Sequence, residues 1–107
     1  MITREFELSN GRKFVVTWSE PKFENGDYRC DFSFTLEGEE RRASAFGVDA
    51  VQALLLAMQR AHVELLSSPQ GRRAEIKWLG MTDLGLPLPA TLSANDFLHP
   101  DIKDWND

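Results

Sequence analysis

The sequence predicts an α+β fold: an antiparallel sheet of four to five strands, connected as a β-meander, with one main helix packed on one face. Three observations predict it. Apolar and polar residues alternate through residues 2–36, turn residues separate the alternating segments, and an apolar stripe at helical spacing runs from residue 51 to residue 65. With 107 residues, we expect a single domain over residues 1–80, followed by an irregular, proline-containing strap over residues 81–107.

The first two strands are predicted as a hairpin closed by Ser9-Asn10-Gly11. Their apolar positions are Ile2, Phe6, Leu8, Phe14, Val16 and Trp18. A two-residue Asn-Gly turn would place the apolar residues of the two strands on opposite faces. A three-residue loop with Gly11 in the left-handed region pairs Phe6 with Phe14 and Ile2 with Trp18, so that the apolar faces coincide. We therefore predict the three-residue loop.

The third and fourth strands form a second predicted hairpin. The apolar positions of the third strand are Tyr28, Cys30, Phe32, Phe34 and Leu36. Gly38-Glu39 has glycine at the first central position, as a type II′ turn prefers. This turn places Phe34 opposite Ala43 and Phe32 opposite Ala45. Small residues beside large ones leave room for the helix above them.

The main helix is predicted to begin at the N-cap Asp49 and to end at Ser67-Ser68-Pro69. The face expected to lie on the sheet consists of Val51, Leu54, Leu55, Met58, Ala61, His62 and Leu65. A further strand is expected over residues 74–79, and its place in the sheet stays open. Leu56 and Val63 fall outside the predicted buried face, so something else has to cover them.

The strap is the first candidate for that cover. Residues 81–90 read as an extended, proline-punctuated segment, and apolar residues follow among aspartates. We expect the strap to fold back and to lay Phe97 or Trp105 over Leu56 and Val63. A second subunit and a different protein are the alternative covers.

Charge and composition exclude several classes of function. The net charge is −5, and residues 81–107 hold five acidic side chains and one basic one. An acidic surface repels phosphates, so we expect no nucleic-acid binding. The single cysteine, Cys30, fits a reducing compartment. No signal peptide is recognised, and no stretch approaches the ~20 apolar residues that span a bilayer. We expect a cytoplasmic protein with no membrane partner.

The sequence contains no constellation typical of catalysis. It lacks the Gly-x-Ser-x-Gly elbow and the glycine-rich phosphate loops. Cys30, His62 and His99 are single and widely separated, so we expect neither a metal site nor a cofactor. Glu5, Glu7 and Asp31 share the open sheet face and would act as acid and base if they lay together, which leaves an enzyme as one alternative. Solvated polar residues are the simpler interpretation of that face.

The helix itself resembles a known family. The matching residues are Gly47, Val48, Asp49, Gln52, Ala53, Leu54, Leu56 and Ala57. This pattern, Gly-Val-Asp-x-x-Gln-Ala-Leu-x-Leu-Ala, is similar to a family of short, functionally uncharacterised bacterial proteins, and the resemblance covers roughly residues 1–80. It implies no particular activity. The size, charge and architecture are also similar to those of immunity proteins that neutralise bacterial toxins.

The functional expectation is therefore a non-catalytic protein-binding module, and its most concrete form is an immunity protein that occludes the basic active-site cleft of a toxin. Its acidic groups would be Asp83, Asp96, Asp101, Asp104, Glu37, Glu39 and Glu40, and its aromatic anchors Phe97, Trp105 or Trp78. A structural homodimer that shares the Leu56 and Val63 surface is the first alternative. An enzyme that uses the open-face carboxylates is the second.

Overall fold

The computed structural model describes residues 1–101. Among these residues, no helix is both long enough and apolar enough to cross a membrane. The strands are β1 (Ile2–Leu8), β2 (Lys13–Trp18), β3 (Lys22–Glu24), β4 (Asp27–Leu36), β5 (Glu39–Gly47) and β6 (Ile76–Lys77). The helices are α1 (Ala50–Ser67), α2 (Pro69–Arg72) and a 3₁₀ turn (Ala94–Phe97).

The strands form one antiparallel sheet in the order β6-β1-β2-β4-β5, and β3 pairs with β4 on the same side as β2. α1 packs on β5, β4 and β2, so the core lies between the helix and one face of the sheet. The predicted α+β class, with one main helix on an antiparallel sheet, is confirmed. β5 and β6 lie at opposite edges, so α1 carries the chain across that face.

The β1–β2 hairpin has the predicted register. Phe6 pairs with Phe14 and Ile2 pairs with Trp18. Gly11 has a φ of +88°, and its N–H donates to the carbonyl of Leu8 at 2.9 Å. The three-residue loop is confirmed, because it alone keeps the apolar side chains of both strands on the core side.

The predicted register of the β4–β5 hairpin is wrong by two residues. The turn consists of Glu37 and Gly38, both with positive φ, and Phe34 lies opposite Arg41 rather than Ala43. A shift of two leaves every side chain on the same face, so the apolar pattern is satisfied by both registers. The observed register places Arg41 on the helix side, where its Nη1 donates to Oε2 of Glu64 at 2.9 Å.

The N-terminus of α1 is confirmed, because the Asp49 carboxylate accepts from the backbone N–H of Gln52 at 2.8 Å. The predicted buried face is wrong in its first half. Val51 is 67% exposed and Leu55 is 47% exposed. The buried residues of the helix are Ala53, Ala57, Ala61, His62, Leu65 and Leu66. Large aromatic side chains project from the sheet, so the backbone of α1 approaches closely only where its own side chains are small.

Ser68 joins the two helices. Its buried hydroxyl donates to the Leu65 carbonyl at 2.6 Å and accepts from the Gly71 N–H at 3.0 Å. α2 is one turn long, and β6 then pairs Ile76 with Leu8 at the edge of the sheet. The further strand thus exists but spans two residues of the six expected.

The described part of the strap lies against the domain. Leu84 is 2% exposed and belongs to the core. Arg4 holds the segment, because its Nη1 donates to the carbonyls of Leu84 at 3.0 Å and Gly85 at 3.1 Å. The same guanidinium lies 4.0 Å from the ring centroid of Trp78. Arg4, which interrupts the apolar pattern of β1, thus positions the strap.

Candidate functional site

The acidic residues of the β4–β5 hairpin lie beside arginines. Glu37 pairs with Arg12 at 3.9 Å and Glu39 pairs with Arg41 at 3.4 Å. Glu40 bonds with the guanidinium of Arg42. Each predicted partner-binding carboxylate here has a cation next to it, which reduces the negative potential that would attract a basic protein.

The aspartates of the strap are exposed and are held in local turns. Asp83 accepts from the N–H of Gly85 at 2.9 Å, and Asp96 accepts from the N–H of Ser93 at 2.8 Å. Asp101 lies 3.4 Å from the ring of His99. Among residues 1–101, these three carboxylates have no arginine or lysine paired with them. Asp104 and Trp105 lie outside the described residues.

Two of the proposed aromatic anchors already have contacts within the domain. Phe97 packs against the core, and the guanidinium of Arg4 lies over the ring of Trp78. Phe97 is therefore half-buried rather than presented to solvent. Leu56 remains 38% exposed, while Val63 is half-buried.

The outward side of α1 is a continuous surface without charged residues. Its members are Val51, Gln52, Leu55, Leu56, Gln59 and Val63, spaced three or four residues apart; we call it the outer face of α1. The charged residues Arg60 and Glu64 lie on the flank, where they bond with the backbone of Ser44 and with Arg41. Solvated helix faces normally carry charges, so this face has the composition of a contact surface.

The outer face of α1 is bordered by an unpaired sheet edge. Within residues 1–101, β5 pairs only with β4, so the backbone groups of its other edge are not used in the sheet. Its second half, residues 43–47, carries no charge, and Phe46 and Val48 are exposed beside it. Arg60 covers one carbonyl, that of Ser44, at 3.4 Å. An open edge of this kind is a template for pairing with another chain.

The open sheet face does not bring the three predicted carboxylates together. Asp31 lies opposite Ser44, whereas Glu5 lies opposite Val15 and is paired with Lys13 at 3.6 Å. On this face, the strand registers separate Asp31 from Glu5 by two side-chain positions along the strand direction. They separate Asp31 from Glu7 by three such positions.

Asp31 belongs to a different cluster, which the sequence did not reveal. It accepts from the Ser44 hydroxyl at 2.5 Å and from Nε of Arg29 at 2.8 Å. These two hydrogen bonds hold the pKa of Asp31 below its usual range. The cluster lines a groove of about 530 Å³ that also includes Arg42. The predicted register paired Asp31 with Phe46, so only the correct turn would have found this contact.

Cys30 and the remaining titratable groups do not add a metal site. Burial raises the pKa of the Cys30 thiol, whose Sγ lies 3.2 Å from the Ser19 carbonyl. Within residues 1–101, no three His, Cys, Asp or Glu side chains are grouped so as to hold a metal ion.

The fold and these surfaces define a class: a small α+β protein whose main helix lies on an antiparallel sheet and presents an uncharged outer face. Residues 2–88 match a family described as a domain of unknown function, DUF6968, and the chain belongs to that family. No curated protein matches the chain, and no solved structure matches it either. The family match includes every strand and both helices, and it continues past residue 80 into the strap as far as Leu88.

Proposed function

We propose that this chain is a non-catalytic protein-binding module whose partner docks on the outer face of α1. The uncharged row from Val51 to Val63, exposed beside the open edge of β5, carries the proposal. Leucine and valine at this spacing are the anchors that a helix inserts into a partner's groove. The two glutamines add hydrogen bonds without the desolvation cost of a charge.

The more specific form of the proposal is an immunity protein that neutralises a toxin in the cytoplasm by occluding a basic cleft. The net charge of −5 and the exposed carboxylates of Asp83, Asp96 and Asp101 support attraction to a basic partner. The hairpin glutamates contribute less, because arginines lie beside them. We therefore assign the electrostatic attraction of the partner to the aspartates of the strap. The buried contact area would come from the outer face of α1.

A second candidate is a homodimer in which the same surface faces its own copy. The specific observation that favours it is the unpaired edge of β5 next to Leu56 and Val63. Two copies related by a two-fold axis would extend the sheet antiparallel and would bring their helices together.

The experiment compares the wild-type chain with Leu56→Glu and with a matched control, Val15→Glu. The two residues are similarly exposed, at 38% and 44%, but Val15 lies on the open face of the sheet. Each tagged chain is used to capture partners from a lysate of its host at low and high salt, and its mass is measured by sedimentation over a range of concentrations.

A stoichiometric basic protein retained by the wild type and Val15→Glu but lost with Leu56→Glu supports the module. For the immunity form, expression of that partner alone has to stop growth, and the wild-type chain has to restore it. If the measured mass rises from that of one chain to that of two as the concentration increases, and Leu56→Glu stays at the mass of one chain, the homodimer is supported instead. A monomer whose partners are unaffected by Leu56→Glu contradicts both candidates.

A further inference from the structure

A cavity of about 480 Å³ lies between α1, α2, β6 and the strap, on a different side of the helix from its outer face. Its walls are mainly aliphatic. Leu66 comes from α1, Ile76 from β6, and Leu86 and Leu98 from the strap. α2 contributes Gly71. The volume falls within the roughly 300–1,000 Å³ that is typical of small-molecule sites.

One buried polar ring lines this apolar space. His62 is 4% exposed, and its Nδ1 lies 3.2 Å from the carbonyl of Pro87 in the strap. A carbonyl only accepts, so Nδ1 carries the proton of this hydrogen bond. Burial also lowers the pKa of His62, which keeps the ring neutral near pH 7.

The other ring nitrogen, Nε2, is then a hydrogen-bond acceptor. Among residues 1–101, no donor bonds with it. No buried side-chain nitrogen or oxygen in this part of the chain is both sealed from solvent and without a partner. Within the described residues Nε2 is therefore not sealed, and the space that His62 borders there is the cavity.

We propose that this cavity binds a neutral, largely apolar molecule with a hydroxyl donor, of the phenol or alcohol class, and that Nε2 of His62 accepts from the hydroxyl. The aliphatic walls suit the body of such a molecule. Among residues 1–101, neither arginine nor lysine lines the cavity, while Asp83 does, so an anionic ligand would meet a like charge there. The proposal is independent of the outer face of α1, because the cavity and that face share no residue.

The test uses phenol and toluene, which differ in a hydroxyl and a methyl group. Each is titrated into the full-length chain, and the imidazole ¹⁵N resonances of His62 and the backbone amide resonances are followed by NMR. We expect saturable binding of both compounds, with phenol about two- to tenfold tighter, since one hydrogen bond contributes about 0.5–1.5 kcal/mol and 1.4 kcal/mol is a factor of ten. Only phenol should shift the Nε2 resonance toward that of a hydrogen-bonded nitrogen.

Two variants and one control locate the site. Ala94→Trp introduces an indole into the cavity wall from the exposed 3₁₀ turn, and it should abolish binding of both compounds. His62→Phe removes the acceptor and should reverse the order of the two affinities, because the phenol hydroxyl is then buried without a partner. If His62→Phe does not fold, Ala94→Trp and the Nε2 shift still decide the question. Val15→Ser, on the open face of the sheet, should bind both compounds like the wild type.

Three results would overturn the proposal. The first is the absence of saturable binding of either compound to the full-length chain. The second is equal affinity of phenol and toluene for the wild type with no shift of Nε2. The third is binding that appears only in a Trp105→Ala variant, because the chain's own indole would then be the occupant of the cavity.

Discussion

At the scale of single residues, Gly71 marks a close backbone approach between α2 and the end of α1. A Cβ at this position would lie 1.9 Å from the Leu65 carbonyl oxygen and 2.7 Å from Cα of Leu66. Because neither backbone atom can move without displacing the end of α1, Gly71→Ala should lower the free energy of unfolding by about 2–3 kcal/mol.

The matched control is Gly26→Ala, measured in the same urea titration. Gly26 has a φ of +91°, but no atom lies within 4 Å of the added Cβ. Only the conformational cost then remains, about 1 kcal/mol. Gly71 lies in α2 without a positive φ, so a loss as small as that of Gly26→Ala would show that the end of α1 moves aside for the added Cβ.

The buried His62 should make the stability of the folded protein depend on pH. Burial lowers its folded-state pKa below the ordinary value of 6.5, so as the pH falls below that value the unfolded chain binds a proton that the folded chain does not. The contribution of His62 to stability is therefore complete above about pH 6.5 and decreases as the pH falls toward the folded-state pKa.

Urea unfolding of the wild type and His62→Gln at pH 7.5 and pH 5.5 measures this effect. The carboxylates contribute equally to both proteins, so the difference between the two chains isolates the imidazole. The wild type should lose more stability than His62→Gln on acidification. A loss of the same size in both proteins would mean that His62 titrates alike in the folded and unfolded chains.

At the scale of elements, α1 packs on the sheet through small residues over most of its length, and its buried leucines, Leu65 and Leu66, come only at its C-terminal end. Ala53, Ala57 and Ala61 are fully buried, and Nε1 of Trp18 donates to the Ala57 carbonyl at 3.3 Å. Ala57→Leu should lower the free energy of unfolding by about 1–3 kcal/mol, since the sheet leaves no space for a larger side chain.

Leu55→Ser is the informative comparison for Ala57→Leu, because the apolar pattern of the sequence predicts the opposite order. Leu55 is 47% exposed, so we expect its replacement to change the stability by less than about 1 kcal/mol. Thermal and urea unfolding of both variants give the order directly. If Leu55→Ser were the more damaging variant, the helix would have to lie on the sheet through its leucines.

The two hairpins and α1 show which parts of the fold could be predicted from the sequence. Hydrophobic alternation fixed the β1–β2 register, because a one-residue error would turn the apolar residues of one strand toward solvent. It did not fix the β4–β5 register, where an error of two residues moves no side chain to the other face. Hydrophobicity also ranked Leu55 and Val51 above Ala53 as core residues, although the volume of the opposing aromatics decides the contact.

The candidate sites were less predictable than the fold, since they depend on contacts between segments far apart in sequence. Leu56 and Val63 were recognisable from their positions on the helix. The exposure of Val51 and Leu55 was not, because it follows from the way α1 is seated on the sheet. The cavity beside His62 depends on the path of the strap, for which proline and leucine spacing give no register.

At the scale of the whole molecule, the strap is part of the core, and this determines where the folding unit ends. Leu84 is 2% exposed, and Arg4 of β1 donates to the carbonyls of Leu84 and Gly85. A chain of residues 1–80 would lose these contacts and the acceptor of His62, and would expose the apolar side of α1. A chain of residues 1–88 keeps all of them. We therefore expect residues 1–88 to be more stable than residues 1–80 by at least about 2 kcal/mol, the lower range for removing one buried leucine.

Urea unfolding and amide hydrogen exchange of the two truncated chains and the full-length chain measure this difference. The 1–88 chain lacks Ala94, Asn95 and Leu98 from the cavity wall, so it should fold cooperatively yet bind phenol more weakly than the full-length chain. If residues 1–80 unfold at the same urea concentration as residues 1–88, Leu84 contributes nothing and the domain ends where the sequence predicted. If instead residues 1–88 are the shortest stable chain, then stability requires the first half of the strap, and the second half is free to serve the cavity. The folding unit would then end where the family match ends.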